Sequence, residues 1–320
     1  MLTLRSLWMT SVGTLCFCLP GFLIADEPQP TKVADSPAPA HVAKVPWYTD
    51  YYEAMKAAQI SEQMLLVVFQ DARHTDTYDE YLASLEADAK FAKAAENFVF
   101  CKLPLDYRVR LTPTAQEEAD AAAQSKEAEH KEITLLDHPA FAEMHGRAGF
   151  VMIDYLHTKS KQYGRVVNLY PFKSRFLPVE KLLVMMNLPE GSLTQRTMIF
   201  AVLTHPEKPA SVQGKFLPEL AEETESHSQH QANIRVQGHH QWESRFHRIN
   251  ARLGNGLLAQ EVVAESWPGQ DLVDAAEEAV HSWRQSPGHW SAVRSRQHAF
   301  GYDIKRGLNG IWYATGIFGR

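Results

Sequence analysis

The chain has 320 residues, with 32 Lys and Arg against 38 Asp and Glu for a net charge of −6; 45% is hydrophobic and 22% charged. That length favours two domains over one, and that composition supports buried cores. The acidic balance argues against a general nucleic-acid binder, which needs a basic face for phosphates, and a mean hydropathy of −0.31 excludes a polytopic membrane protein.

Arg5 is the only charge before Asp26, and an apolar run over residues 7–24 follows it. This pattern predicts a signal peptide over 1–25, cleaved near Ala25, and a secreted or periplasmic product. The competing expectation is an uncleaved anchor, because the run is close to the ~18 residues that can span a bilayer; membrane contact is expected only in that case. Cleavage removes Cys16 and Cys18 and leaves Cys101, so no internal disulfide can form. An exported protein without disulfides suits a bacterial envelope. Residues 26–45 are rich in Pro and Ala with few large apolar groups, which predicts a flexible linker.

From residue 46 to about 190 the predicted elements alternate. Residues 50–61 have helical spacing, with Tyr51, Ala54, Met55 and Ala58 on one face. Residues 64–69 (MLLVVF) form a short continuous apolar run, the mark of a strand covered on both faces. A helix is predicted over 76–95, a strand over 97–103, and an exposed, alanine-rich helical insertion over 112–132. A short helix over 137–146, a hairpin from 150–154 and 162–169, and a helix over 177–187 complete the unit. A second unit starts near Ser192. It has helices over 193–204, 217–237 and 271–285 and two closing antiparallel strands over 300–304 and 310–318. No internal repeat relates the two units.

The first unit resembles the thioredoxin fold in element order, and also locally. Thioredoxin-like proteins end the central strand in Phe and follow it with Cys-x-x-Cys; counting from Phe69, His74 and Thr77 stand in the cysteine positions. The family's cis-proline site corresponds to Arg147-Ala148-Gly149-Phe150, which contains no proline. Thiol exchange needs an attacking thiolate and a resolving partner. The resemblance therefore implies a degenerate, redox-inactive domain over 46–190, not a disulfide oxidoreductase. Cys101, in mid-strand, reads as a small buried hydrophobe.

Three segments stand out in the second unit: Gly238-His239-His240-Gln241-Trp242, Gln260-Glu261-Val262-Val263-Ala264-Glu265, and Trp283-Arg284-Gln285-Ser286-Pro287-Gly288-His289. Their order, followed by a glycine-bearing strand and an aromatic strand, resembles the CAP superfamily, the SCP-like domain of cysteine-rich secretory and pathogenesis-related proteins. The resemblance covers 192–320 and implies an α/β fold, an α-β-α sandwich beside the thioredoxin-like domain. The family's Asn after the glutamate is Val262 here, and Ser286 stands where eukaryotic relatives carry a second glutamate.

The resemblance implies a cleft built from His239, Glu261 and His289, with Ser286 beside them and His240 as the alternative to His239. Two imidazoles and a carboxylate suit a zinc-like divalent cation with an open position, with His239 and His289 as metal ligands. A Glu beside a His also suits general acid–base work. The function expected is a binding protein for a metal, a small apolar ligand, a lipid or an envelope partner. The alternative is a metal-dependent hydrolase or protease in the same cleft. His227 and His230, three apart on a helix, can face one way, although a solvated helix face is the simpler expectation. Core packing is the default for Trp242, Trp283, Trp290 and Trp312.

Overall fold

The computed structural model describes residues 45–111, 131–254 and 256–320. The expected signal segment, all but Val45 of the linker, and most of the expected helical insertion (112–130) lie outside them.

Asp50 starts helix α1 (Tyr51–Ser61) by accepting the Glu53 amide at 2.9 Å, and Glu62 ends it in the left-handed region at φ 50°. The apolar run then forms strand β2 (Met64–Gln70), buried along its whole length. It runs parallel to β3 (Phe98–Pro104), which also pairs in parallel with the short β1 (Trp47–Tyr48). On its other side β2 meets β6 (Gly149–Ile153) antiparallel, and β6 turns back into β7 (Val166–Pro171). The sheet order is β1-β3-β2-β6-β7.

The single helix expected over 76–95 is two helices, α2 (Thr75–Glu86) and α3 (Ala89–Ala95). Asp88 separates them because its carboxylate accepts the Lys90 and Phe91 amides, capping a new helix. Arg108–Arg110 (β4) and Glu132–Thr134 (β5) pair antiparallel, so Glu132, expected to end a helix, lies in a strand. The helix expected over 137–146 is made of two 3₁₀ turns, Leu135–Asp137 and Pro139–Met144. Gly149 begins β6 at φ 154°, and a Cβ there would fall 2.2 Å from the Tyr170 carbonyl oxygen. Only glycine fits that approach.

Helix α4 (Val179–Met186) leads into α5 (Leu193–Thr204), which opens on a capping box between Ser192 and Gln195. A second sheet follows, built from β8 (Lys215–Phe216), β9 (Ala259–Glu265), β10 (Ala299–Arg306) and β11 (Trp312–Gly319), in the order β8-β10-β11-β9. Its helices are α6 (Pro218–Ile234), α7 (Trp242–Leu253), α8 (Leu272–Gln285) and α9 (Pro287–Arg294). Helix α6 lies on β10 and β11; α5 packs on β10, on α8 and on β7 of the first sheet. The architecture is mixed α/β.

Helix α6 comes very close to β10. A Cβ on Gly301 would fall 2.5 Å from the Leu220 carbonyl carbon. On the other face, Tyr302 packs against Trp283 at 5.8 Å between ring centroids, and its hydroxyl meets Ser211 Oγ at 2.8 Å. One apolar cluster runs through both sheets, from Phe100 and Phe150 to Met198, Trp283 and Phe318. Arg196 crosses the junction, 3% exposed. It donates to the carbonyls of Leu188 (3.0 Å), Pro189 (2.9 Å) and Met185 (3.3 Å) and to Asn168 Oδ1. Burial lowers its pKa to about 10.

Candidate functional site

Strand β9 is an edge strand whose residues alternate between faces. Val262 and Ala264 enter the core cluster, so Glu261 points the other way, towards the α6–α7 side. Leu220, Thr224, His227 and Gln231 are buried on α6 at three- and four-residue steps. That stripe aims His227 at β9. Arg235 ends α6 in the left-handed region; the chain then passes through Gly238 and His239 before α7 begins and supplies Arg245.

Glu261 is the centre of the site, with its side chain 1% exposed. His239 Nδ1 lies 3.0 Å from its Oε1, and His227 Nε2 lies 3.7 Å from the same oxygen. The Arg245 guanidinium donates to Oε2. Arg245 also donates to the His240 carbonyl at 3.3 Å, and its guanidinium stacks over Trp242. The His289 ring lies 5.7 Å from the His239 ring, centroid to centroid.

Burial works against ionisation of Glu261. Hydrogen bonds from His239 and Arg245, with the nearby His227, outweigh it and hold the carboxyl below its ordinary range. His227 shifts down to about 4, mainly through burial and further through Arg245 and His240, against the opposing pull of Glu261 and the Gly238 carbonyl. It is therefore neutral at pH 7. Its Nε2 faces two acceptors, Gly238 O at 3.0 Å and Glu261, which assigns the proton to Nε2. Burial, then His239, lowers His289. His239 is the exposed member, 44% at its side chain. With Nδ1 turned to a carboxylate, its Nε2 is the free nitrogen.

The structure thus sets His239 on Glu261 and the His289 ring beside that of His239. His240 turns away: its Nε2 lies 3.1 Å from the Val236 carbonyl, and its ring packs on His230 at 5.4 Å and His227 at 6.0 Å. Ser286 is the joint between α8 and α9 and makes no side-chain cap bond. His289 lies in the first turn of α9, because Pro287 starts a new helix instead of ending a turn. His74 and Thr77 are exposed at the start of α2, beside the other sheet. Trp283, Trp290 and Trp312 are buried.

Two partners of Glu261 escaped the sequence reading. His227 is 2% exposed, not on a solvated face; the buried stripe on α6 was the available signal. Arg245 had a weaker one. A buried carboxylate demands a cation, but Arg245, Arg248 and Arg252 share α7, and only the fold selects among them. Arg248 and Arg252 instead hold Glu223.

The donor set does not fit a zinc-like ion. Among the described residues no three His, Cys, Asp or Glu side chains are arranged to hold a metal. Arg245 takes one oxygen of Glu261 and His239 Nδ1 the other, so a cation at the carboxylate would have to stand beside the Arg245 guanidinium. Among the described residues no helix is long and apolar enough to cross a membrane. No family model matches the chain, and no curated protein matches it.

Proposed function

We propose that this chain is an exported binding protein with a redox-inactive, thioredoxin-like unit (46–190) and a CAP-like unit (192–320). The second unit takes a small ligand or a partner through His239 and His289, set over the buried Glu261. The β1-β3-β2-β6-β7 order supports the first resemblance; the meeting of His239 with Glu261 and of His289 with His239 supports the second. Redox inactivity is supported by His74 and Thr77 and by the Cys101 thiol, which burial pushes up to about 12.

The observation that carries the reading is the engagement of both Glu261 oxygens. Arg245 and His239 engage both its oxygens, so it orients His239, and a metal ion there would compete with the Arg245 guanidinium. A metal-free hydrolase is the second reading, favoured because a carboxylate on Nδ1 is how a general base is aligned. Among the described residues no Ser, Thr or Cys is hydrogen-bonded to His239 Nε2.

The test is a histidine side-chain NMR titration with single-chain lipids and small apolar molecules, with zinc titration and peptidase and esterase assays in parallel. Binding in the cleft shifts the His239 and His289 signals together, and His289→Ala loses the response. Hydrolysis abolished by Glu261→Gln would favour the second reading. Stoichiometric zinc lost on His289→Ala would refute the metal-free reading.

A further inference from the structure

Helices α4, α5 and α8 and the turn after α5 form a half-open cavity of about 270 Å³ lined by Lys181, Ala201, Thr204, His205, Pro206 and Glu277. None of these residues belongs to the Glu261 site. Glu277 is partly buried on α8. Burial raises its carboxyl above the ordinary range, Lys181 and Lys173 oppose that, and Asp274 and Asp271 add to it. Lys173 is already bound to Asp274. Among the described residues neither Glu277 nor Lys181 has a side-chain hydrogen bond or an ion-pair partner. Two opposite charges therefore line one small cavity without closing on each other.

The remaining polar atoms have defined roles. The Glu207 amide donates to His205 Nδ1 at 3.2 Å, which places the neutral ring's proton on Nε2 as a donor. Burial lowers the His205 pKa, which favours that neutral form. Thr204 Oγ1 donates to the Phe200 carbonyl at 2.8 Å, so its lone pairs remain as acceptors. The lining thus offers acceptors in Glu277 and the Thr204 oxygen, and donors in Lys181 and His205 Nε2–H. Ala201 and Pro206 give it apolar wall.

We propose that this cavity binds a small zwitterion of the α-amino-acid class, with its ammonium on Glu277 and Thr204 and its carboxylate between Lys181 and His205. A lone cation would face Lys181, and a lone anion would face Glu277; a zwitterion satisfies both. A space of about 270 Å³ is large enough for a small amino acid. Alanine and leucine fit within it, whereas a tryptophan side chain would have to extend through the open mouth. The inference does not depend on the proposed role of the Glu261 site.

Isothermal titration of the purified full chain with L-alanine, L-leucine and L-tryptophan tests it, with N-acetyl-L-leucine and L-leucinamide as ligands lacking one charge. L-Alanine or L-leucine should bind, the two blocked ligands at least about tenfold more weakly. Glu277→Gln and Lys181→Met should each weaken binding by about tenfold or more, with unchanged circular dichroism. If Glu277→Gln does not fold, Lys181→Met and the blocked ligands decide the matter. No binding of L-alanine or L-leucine at about 10 mM would overturn the proposal. So would equal binding of free and blocked leucine, or binding untouched by the folded variants.

Discussion

Acidification should weaken the fold through His227, and the structure fixes the sign. The ring is buried and neutral, with a folded pKa of about 4 against 6.5 for the free group. The unfolded chain therefore binds the proton first. The stability His227 contributes is complete above pH 6.5 and is lost as pH falls from there towards 4. The full shift corresponds to roughly 3 kcal/mol, of which about 1–2 kcal/mol should be lost between about pH 7.5 and pH 5 after allowance for residual solvation. Added charge in this pocket has little compensation: Arg245 is already present, the His230 and His240 rings pack nearby, and among the described residues Glu261 is the one anion within 4 Å. His227→Gln is the control, since its amide nitrogen can replace Nε2 as donor to Gly238 O without titrating. Urea unfolding of both proteins at the two pH values gives the difference directly. The gap between wild type and His227→Gln should move by about 1–2 kcal/mol in favour of the variant at the lower pH. A gap that does not change with pH would refute the account of a buried neutral imidazole.

Asp303 should behave in the opposite direction. Its carboxyl is fully buried; burial raises its pKa to about 7, against the opposing effects of Lys305 and Thr194. Thr194 donates to Oδ1 at 2.6 Å, while Oδ2 has no hydrogen bond and the Lys305 ammonium stands 3.4 Å away. The stability it contributes is present below the unfolded value of 3.8 and is lost as pH rises through about 7. Asp303→Asn should therefore raise the melting temperature more at about pH 8 than at about pH 5, read by differential scanning calorimetry; an equal effect at both would count against a protonated carboxyl. Cys101, 0% exposed with its thiol pushed up to about 12, should resist thiol reagents in the folded protein and react on unfolding, and the chain should not reduce insulin. Insulin reduction that disappears with Cys101→Ser would reverse the redox-inactive reading.

Element type was legible where local pattern is strong. The continuous apolar run of β2, the helical spacing of α1 and α8 and the closing strands β10 and β11 depend on nearest-neighbour periodicity, which a sequence displays directly. The break between α2 and α3 was present in Asp88, but alanine-rich flanks masked it. Strand β9 carries Glu261 amid Val262, Val263 and Ala264 and did not read as a strand, because its partner β11 lies about 50 residues away. The resemblance to the CAP superfamily pointed to His239, Glu261 and His289 as neighbours, and their meeting is a tertiary fact. Which of His239 and His240 faces Glu261 turns on one residue of register between α6 and α7, set by the left-handed Arg235 and Gln241. The choice of Arg245 over Arg248 and Arg252, the burial of His227, and the loss of a metal-competent donor set follow from the same packing. Sequence supplies side chains and local periodicity. Desolvation, which decides whether Glu261 meets an ion or an arginine, exists only once distant segments exclude water together.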